Sequence, residues 1–324
     1  MQQNKVLSFM EATGVIRYKM TNNYMFRFIL QKNKKVLTGL ICSLLHLEEN
    51  EIRKIEITNP INLAGEVVGK EFILDIHVMM NDNTLINLEM QVGNEYNWPE
   101  RSISYACRGF DNLQKGQEYE DVLPMIHIGF LDYTPFKEYP EFYSKYVLTN
   151  VKNHHVYSDK FVIRVVNLKK INLATEEDKA FKIDYWARLF KAETWEEIKM
   201  LTGNNEFLQE AAESLYVANA DDIVRQQCQA REDAEKRERT ILRDKNLLEL
   251  KVENLKDEIS RKENELLQIG NELSQKENEL SQKENELSQK ENELSQKENE
   301  LSQKDEYIQF LKDQLAKAGI SQTE

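Results

Sequence analysis

Between Asn271 and Glu298 the seven residues NELSQKE occur four times in identical copies, and a fifth copy, NELSQKD, ends at Asp305. No other feature restricts the fold as strongly. Apolar residues recur at every seventh position from Val252 through Leu273, Leu287 and Leu301 to Leu315. Two turns of an α-helix have that interval, and a strand, with its period of two, does not. Each copy also sets Glu four residues ahead of Lys, as in Glu272 and Lys276, an orientation that supports an exposed helix by ~0.2–0.5 kcal/mol per pair. A stable coiled coil needs a second apolar seam position, and here that position is held by residues like Lys276 or Glu277, depending on register. Two readings stand: a self-associating coil, parallel or antiparallel, and a single helix. The identity of the copies also fits repeat expansion of the coding DNA.

The rest of the chain reads differently. Aromatic and β-branched residues are well mixed up to about Tyr216, and after Asn219 they give way to Glu, Lys, Gln, Arg, Asn and Leu. The expected division is therefore a globular domain over 15–218 and a charged helical region over 219–324. Residues 1–200 hold 25 Lys and Arg against 27 Asp and Glu, whereas residues 201–324 hold 18 against 29. The net charge of -13 thus sits mostly in the tail, and a nearly neutral globular part leaves nucleic acid open as a partner. Cys42, Cys107 and Cys228 are far apart and show no zinc-ligand or disulfide spacing. No stretch approaches the ~18 consecutive apolar residues of a membrane span, and the first residues have no continuous apolar run of a signal peptide. The expected location is the cytoplasm.

Along the globular part, NNYMFRFILQKNKKVLTGLICSLLHL reads as two helices, with Asn22 or Asn23 as first cap. EIRKIEI, EFILDIHVMM and TLINLEMQV read as strands, the last two joined by the turn NDN. A helix follows Pro99, and Gly116 is the residue expected to stop it. VLPMIHIGFLDY reads as a short buried strand, and KYVLTNV and KFVIRVVNL as two more around the polar turn NHHVYSD. Two helices close the domain, entered at Thr175 and at Thr194, where TWEE has the spacing of a capping box.

The hairpin from Phe72 to Val92 holds the residues with chemical potential. A turn centred near Asp82 sets Asp75 across from Glu89. Phe72, Leu74, Ile76, Val78 and Met80 then share an apolar face with Ile86, Leu88, Met90 and Val92. The other face carries Asp75, His77, Asn87, Glu89 and Gln91. From spacing alone the simpler reading is the solvated face of an antiparallel hairpin. Yet opposed carboxylates repel, and a divalent cation would resolve that repulsion with a hard oxygen shell.

The order of Asp, then E-x-Q, together with its neighbours, resembles the PD-(D/E)XK nuclease family transposases, also called recombination-promoting nucleases. The resemblance lies in TNNYMFRFILQKNKKVLTGLICSLL, EFILDIHVMMNDNTLINLEMQV, NWPERSISYACRGFDNLQKGQEY and PMIHIGFLDYTPF, continuing in DKFVIRVVNL and EEDKAFKIDYWARLFKAETWEEIKML. It implies an α/β fold, a restriction-endonuclease-like core with a mixed central sheet flanked by helices, followed here by the long coiled-coil-like helical tail. It also implies a metal-dependent DNA endonuclease linked to recombination or transposition. Mg²⁺, or Mn²⁺ in its place, would be held by Asp75, Glu89 and the Met90 carbonyl, with Gln91 orienting water. Gln91 stands where most PD-(D/E)XK enzymes have Lys, and the recombination-promoting branch shows this glutamine. Asn23 stands where relatives usually carry an acid, and Glu66 or Glu71 is a candidate substitute.

Trp98, Arg101, Tyr105 and Arg108 form one helical stripe, read either as packed aromatics with solvated arginines or as a surface on which Arg101 and Arg108 meet DNA phosphates. His77 is read as a hydrogen-bonded sheet residue or a ligand. His46, His127, His154 and His155 show no ligand spacing. Two competing functions remain: a decayed relative that binds DNA or protein, and an assembly protein that self-associates through its helix.

Overall fold

The computed structural model describes residues 8–59, 75–93, 97–203 and 205–317. Phe72, Leu74, Glu66 and Glu71 lie outside these residues.

Two asparagines open the fold. Asn22 accepts hydrogen bonds from the N–H groups of Tyr24 and Met25 and so starts α1 (Asn23–Lys32). Asn33 ends α1 and, by accepting from Lys35 and Val36, starts α2 (Lys34–Leu45). Three strands follow, β1 (Ile55–Ile57), β2 (Ile76–Met80) and β3 (Thr84–Gln91). The turn between β2 and β3 carries Asn81 and Asp82 at φ 53° and 59°, the consecutive left-handed pair of a type I′ turn, and Asn and Asp tolerate that region best after Gly. The turn fixes the register, Ile76 opposite Leu88 and Val78 opposite Ile86. Continued by one residue, it sets Asp75 across from Glu89.

From β3 the chain crosses through α3 (Trp98–Phe110) to β4 (Met125–Leu131), which lies parallel to β3 because a helical crossover returns the chain in the same direction. β5 (Tyr143–Thr149) and β6 (Val156–Asn167) form an outer hairpin, with β6 parallel to β4. Among the described residues the sheet has six strands in the order β1-β2-β3-β4-β6-β5. After the sheet come α4 (Glu176–Ala180), α5 (Ile183–Lys191), α6 (Trp195–Thr202), α7 (Glu206–Ala220) and α8 (Asp222–Lys317).

Alternation along the strands sorts side chains into two layers. Ile76, Val78, Ile86, Leu88, Met90, Ile128 and Phe130 are buried in the main core with α1, α2, α5 and α7. Phe26 packs edge-on against Phe130 and Phe190, with ring centroids 5.4 and 5.6 Å away. The opposite layer is α3, which contacts β3, β4 and β6.

Three local expectations need correction. α3 ends at Phe110, before Gly116: the Asp111 N–H bonds the Cys107 carbonyl, and the Asn112 amide donates to the carbonyls of Gly109 and Leu123, drawing the chain toward β4. Four helices, α4 to α7, stand where two were expected, and the reciprocal capping box is at Thr175 with Asp178. Thr194 accepts from the Glu197 N–H, but the Glu197 carboxylate accepts from Glu193 instead of returning to the cap. Finally, β6 takes in Val156 to Asp159, which shortens the expected polar turn.

By its contacts the chain divides into Met1–Ile241 and Leu242–Glu324. The first turns of α8 belong to the first unit. Val224 and Cys228 are buried, the Asn22 amide donates to the Cys228 carbonyl at 3.2 Å, and the Tyr18 hydroxyl donates to Gln229 at 3.0 Å. In the second unit the repeat leucines, Leu273 to Leu301, are exposed along a continuous helix. Among the described residues of this unit the ion pairs are Lys245 with Glu249 and Lys262 with Glu265, at 3.8 and 3.9 Å, and Glu272 with Lys276 is not one of them. Exposed pairs of long side chains are weakly held. Among the described residues no helix is long and apolar enough to cross a membrane.

A chain ending at Ile241 should unfold in urea at the same midpoint as the globular unit of the full protein. One ending at Ala220 should lose roughly 3 kcal/mol, because Val224 and Cys228 no longer cover α1.

Candidate functional site

The face of β3 turned toward α3 carries Asn87, Glu89 and Gln91, and the alternate residues of β2 and its lead-in are His77 and Asp75. Except for His77 these side chains are buried: Asp75 is 8 % exposed, Asn87 1 %, Glu89 6 % and Gln91 6 %. The hairpin's polar face is therefore no solvated surface. It is covered by α3, whose first residue Trp98 lies over Gly129, the register partner of Glu89 on β4. A Cβ on Gly129 would come within 2.0 Å of the Trp98 ring, so glycine is what admits the indole at this level.

Each acid has a cationic or ionisable neighbour. The Asp75 carboxylate lies 2.7 Å from His77 Nε2, and Glu89 Oε1 accepts from Arg101 Nε at 2.7 Å. Burial pushes the Asp75 carboxyl up, but the hydrogen bond and charge of His77, with the Arg27 charge behind it, outweigh burial and hold it below the usual range. Arg101 also lies against the Tyr105 ring, with 5.3 Å from guanidinium carbon to centroid, and Arg108 approaches the same ring at 5.7 Å. The stripe read from the sequence thus exists, but Arg101 turns inward to Glu89 while Arg108 is exposed.

Gln91 and His127 complete the face. The Tyr133 hydroxyl donates to Gln91 Oε1 at 3.0 Å, which turns the Gln91 amide nitrogen away from Tyr133. His127, fully buried, stacks parallel to Tyr105 and lies 31° from the plane of Trp98. Asn87 Nδ2 meets His127 Nδ1 at 3.1 Å, and an amide donor there leaves the ring proton on Nε2, 3.7 Å from Glu89 Oε2. Burial lowers the His127 pKa to about 4, so the ring is neutral at physiological pH. Among the described residues Gln91 Nε2, His127 Nε2 and Asn87 Oδ1 are buried without hydrogen-bond partners. Such atoms cost free energy unless water, an ion or a substrate satisfies them. No three His, Cys, Asp or Glu side chains converge as a metal cluster among the described residues.

The sequence profile of the PD-(D/E)XK nuclease family transposases matches residues 20–245. The chain belongs to this family. Comparison with curated proteins and with solved structures gives no match. Membership implies a nuclease or transposition-related role and contact with DNA, and nucleases of this kind generally use divalent metal ions. The mixed sheet with helices on both faces agrees with that fold.

Of the residues singled out in the sequence, the structure brings together Asp75, His77, Glu89, Gln91 and Arg101. Asn23 is elsewhere on α1, its Oδ1 buried and unpartnered, and Asn22 is the cap. His127 and Tyr133 join the polar face without having been recognised as part of it, beside Asn87, which the hairpin alternation had already placed there. The signal was available for His127: a lone ionisable residue inside the apolar run PMIHIGFL, whose parallel pairing with β3 was not legible.

His127 gives the metal-free protein a pH signature. The unfolded ring binds its proton near pH 6.5 and the folded ring only near 4, so stability is complete above the first value and is lost as pH falls toward the second. The total loss is on the order of 3 kcal/mol. In chelator, urea unfolding of the wild type should show this decline, and His127→Gln should flatten it; equal slopes would exclude His127 as its source.

Proposed function

We propose that this protein is a metal-dependent DNA endonuclease that hydrolyses phosphodiester bonds in recombination or transposition. The observation that carries the reading is a pair of carboxylates, Asp75 and Glu89, buried beneath α3 at adjacent positions of a sheet belonging to a nuclease family.

The donor set fits a hard divalent cation. Two carboxylates supply oxygen and charge, and Mg²⁺ commonly takes only one or two such groups and fills its shell with water and phosphate oxygen. Asp75, Glu89 and the Met90 carbonyl would hold it. When bound, the ion supplies charge to a phosphodiester and acidifies water. The chain's own groups do the rest. Gln91, pinned by Tyr133, presents an N–H donor that can fix a water or a phosphate oxygen but cannot accept a proton as a lysine amine can. Arg101 neutralises Glu89 when no other cation does so. Arg108, exposed on the same helix, suits a DNA phosphate.

Asn23 favours a second reading, a decayed relative that only binds, because an amide there adds no charge. Supercoiled plasmid with Mg²⁺ or Mn²⁺ separates the two. Nicking by the wild type, lost in both Asp75→Ala and Glu89→Ala, is the expected result; an inactive wild type that Asn23→Asp rescues would mean decay, and nicking that survives both alanines would move the site elsewhere.

The repeat helix suits self-association, its exposed leucine row packing against a second copy, and a cytoplasmic protein of this charge would be kept soluble by the same acidic surface. Light scattering of full-length protein and of a chain ending at Ile241 should give a multimer and a monomer. Equal oligomeric states would remove the helix as the assembly element.

A further inference from the structure

Arg27 is 0 % exposed, in the apolar core on α1 between Phe26 and Phe28. Taking a guanidinium out of water costs several kcal/mol, and the cost is usually offset by a paired carboxylate. Arg27 is paired differently. Its Nη1 donates to the backbone carbonyl of Asp75, and its Nη2 donates to the backbone carbonyl of Asn59. Burial lowers the Arg27 pKa while the Asp75 charge raises it.

Asn59 completes the arrangement. Its Nδ2 donates to the same Asp75 carbonyl at 3.1 Å, and its Oδ1 accepts the His77 N–H at 2.8 Å. Asp75 comes just before Ile76, the first residue of β2 that pairs with β3. Its carbonyl is therefore held by two side-chain donors, one from α1 and one from the segment after β1, where the paired strand has not yet begun. Fixing this carbonyl and the His77 N–H fixes the backbone on both sides of Ile76, and with it the direction in which the Asp75 carboxylate leaves the chain.

We propose that Arg27 and Asn59 form a clamp that positions Asp75 for cation binding, Arg27 acting as a positioning residue from the far side of the sheet. The inference rests on the nuclease reading above for the identity of the cation, but the clamp itself is testable without it.

The test uses full-length protein with Arg27→Met, Arg27→Lys and Asn59→Ala, the last keeping the core charge in place should Arg27→Met fail to fold. In metal-free protein, amide hydrogen exchange is followed by residue. In a second arm Mn²⁺ affinity is measured by titration calorimetry. Expected are faster exchange at His77 in Asn59→Ala and Arg27→Met with β3 and β4 unchanged, about tenfold weaker Mn²⁺ binding in both, and partial recovery in Arg27→Lys, which keeps a donor. Unchanged exchange at His77 would overturn the clamp, and altered exchange with wild-type Mn²⁺ affinity would overturn its positioning role. A wild type that binds no Mn²⁺ would overturn the metal reading and the cation-positioning role with it, while the exchange arm would still decide whether the clamp exists.

Discussion

The structure depends on a polar sheet face being buried. Apolar side chains on one side of β2 and β3 are drawn to α1 and its neighbours as in any half-buried hairpin. The opposite side, with Asp75, Asn87, Glu89 and Gln91, would ordinarily face water, and here it lies beneath α3. Removing two carboxylates from water demands compensation, and Arg101, His77 and the Arg27 charge provide it. Among the described residues Gln91 Nε2 and His127 Nε2 are buried without hydrogen-bond partners, and they mark where the compensation is incomplete. A site that binds a charged ligand has this character, since full internal satisfaction would leave nothing to bind it.

Both helical layers contribute to that face. α3 closes it from one side through Trp98, Arg101 and Tyr105. α1 reaches it from the other through the backbone of Asp75. The root of α8 packs on the N-terminus of α1 through Cys228 and Asn22, so one helix contacts both the site's backbone and the base of the long helix. The site is thus supported by regular elements, which hold side chains more tightly than loops do.

Much of the hairpin was legible in advance. The turn residues Asn81 and Asp82 and the alternation on either side gave the register and sorted the side chains into faces, because both depend on separations of a few residues. The two helices at the N-terminus were equally legible from the cap residue at Asn22 or Asn23 and the apolar spacing after it, although Asn33, which divides them, had not been singled out. The end of α3 was not, because Asn112 reaches across to the Leu123 carbonyl. Nor was His127, whose place beside Glu89 follows from the parallel pairing of β4 with β3, a choice that no local pattern encodes.

The helical character of the repeats, the register that opposes Asp75 to Glu89 and, through resemblance to a family, the class of chemistry to look for can all be read along the chain. That the polar face is covered, that Arg101 turns inward while Arg108 stays exposed, and that a buried arginine on α1 bonds the Asp75 carbonyl emerge only in the folded molecule. The reason is physical: periodicity and turn chemistry act between near neighbours along the chain, whereas burial and charge pairing are set by segments that meet only when the sheet and its two helical layers assemble.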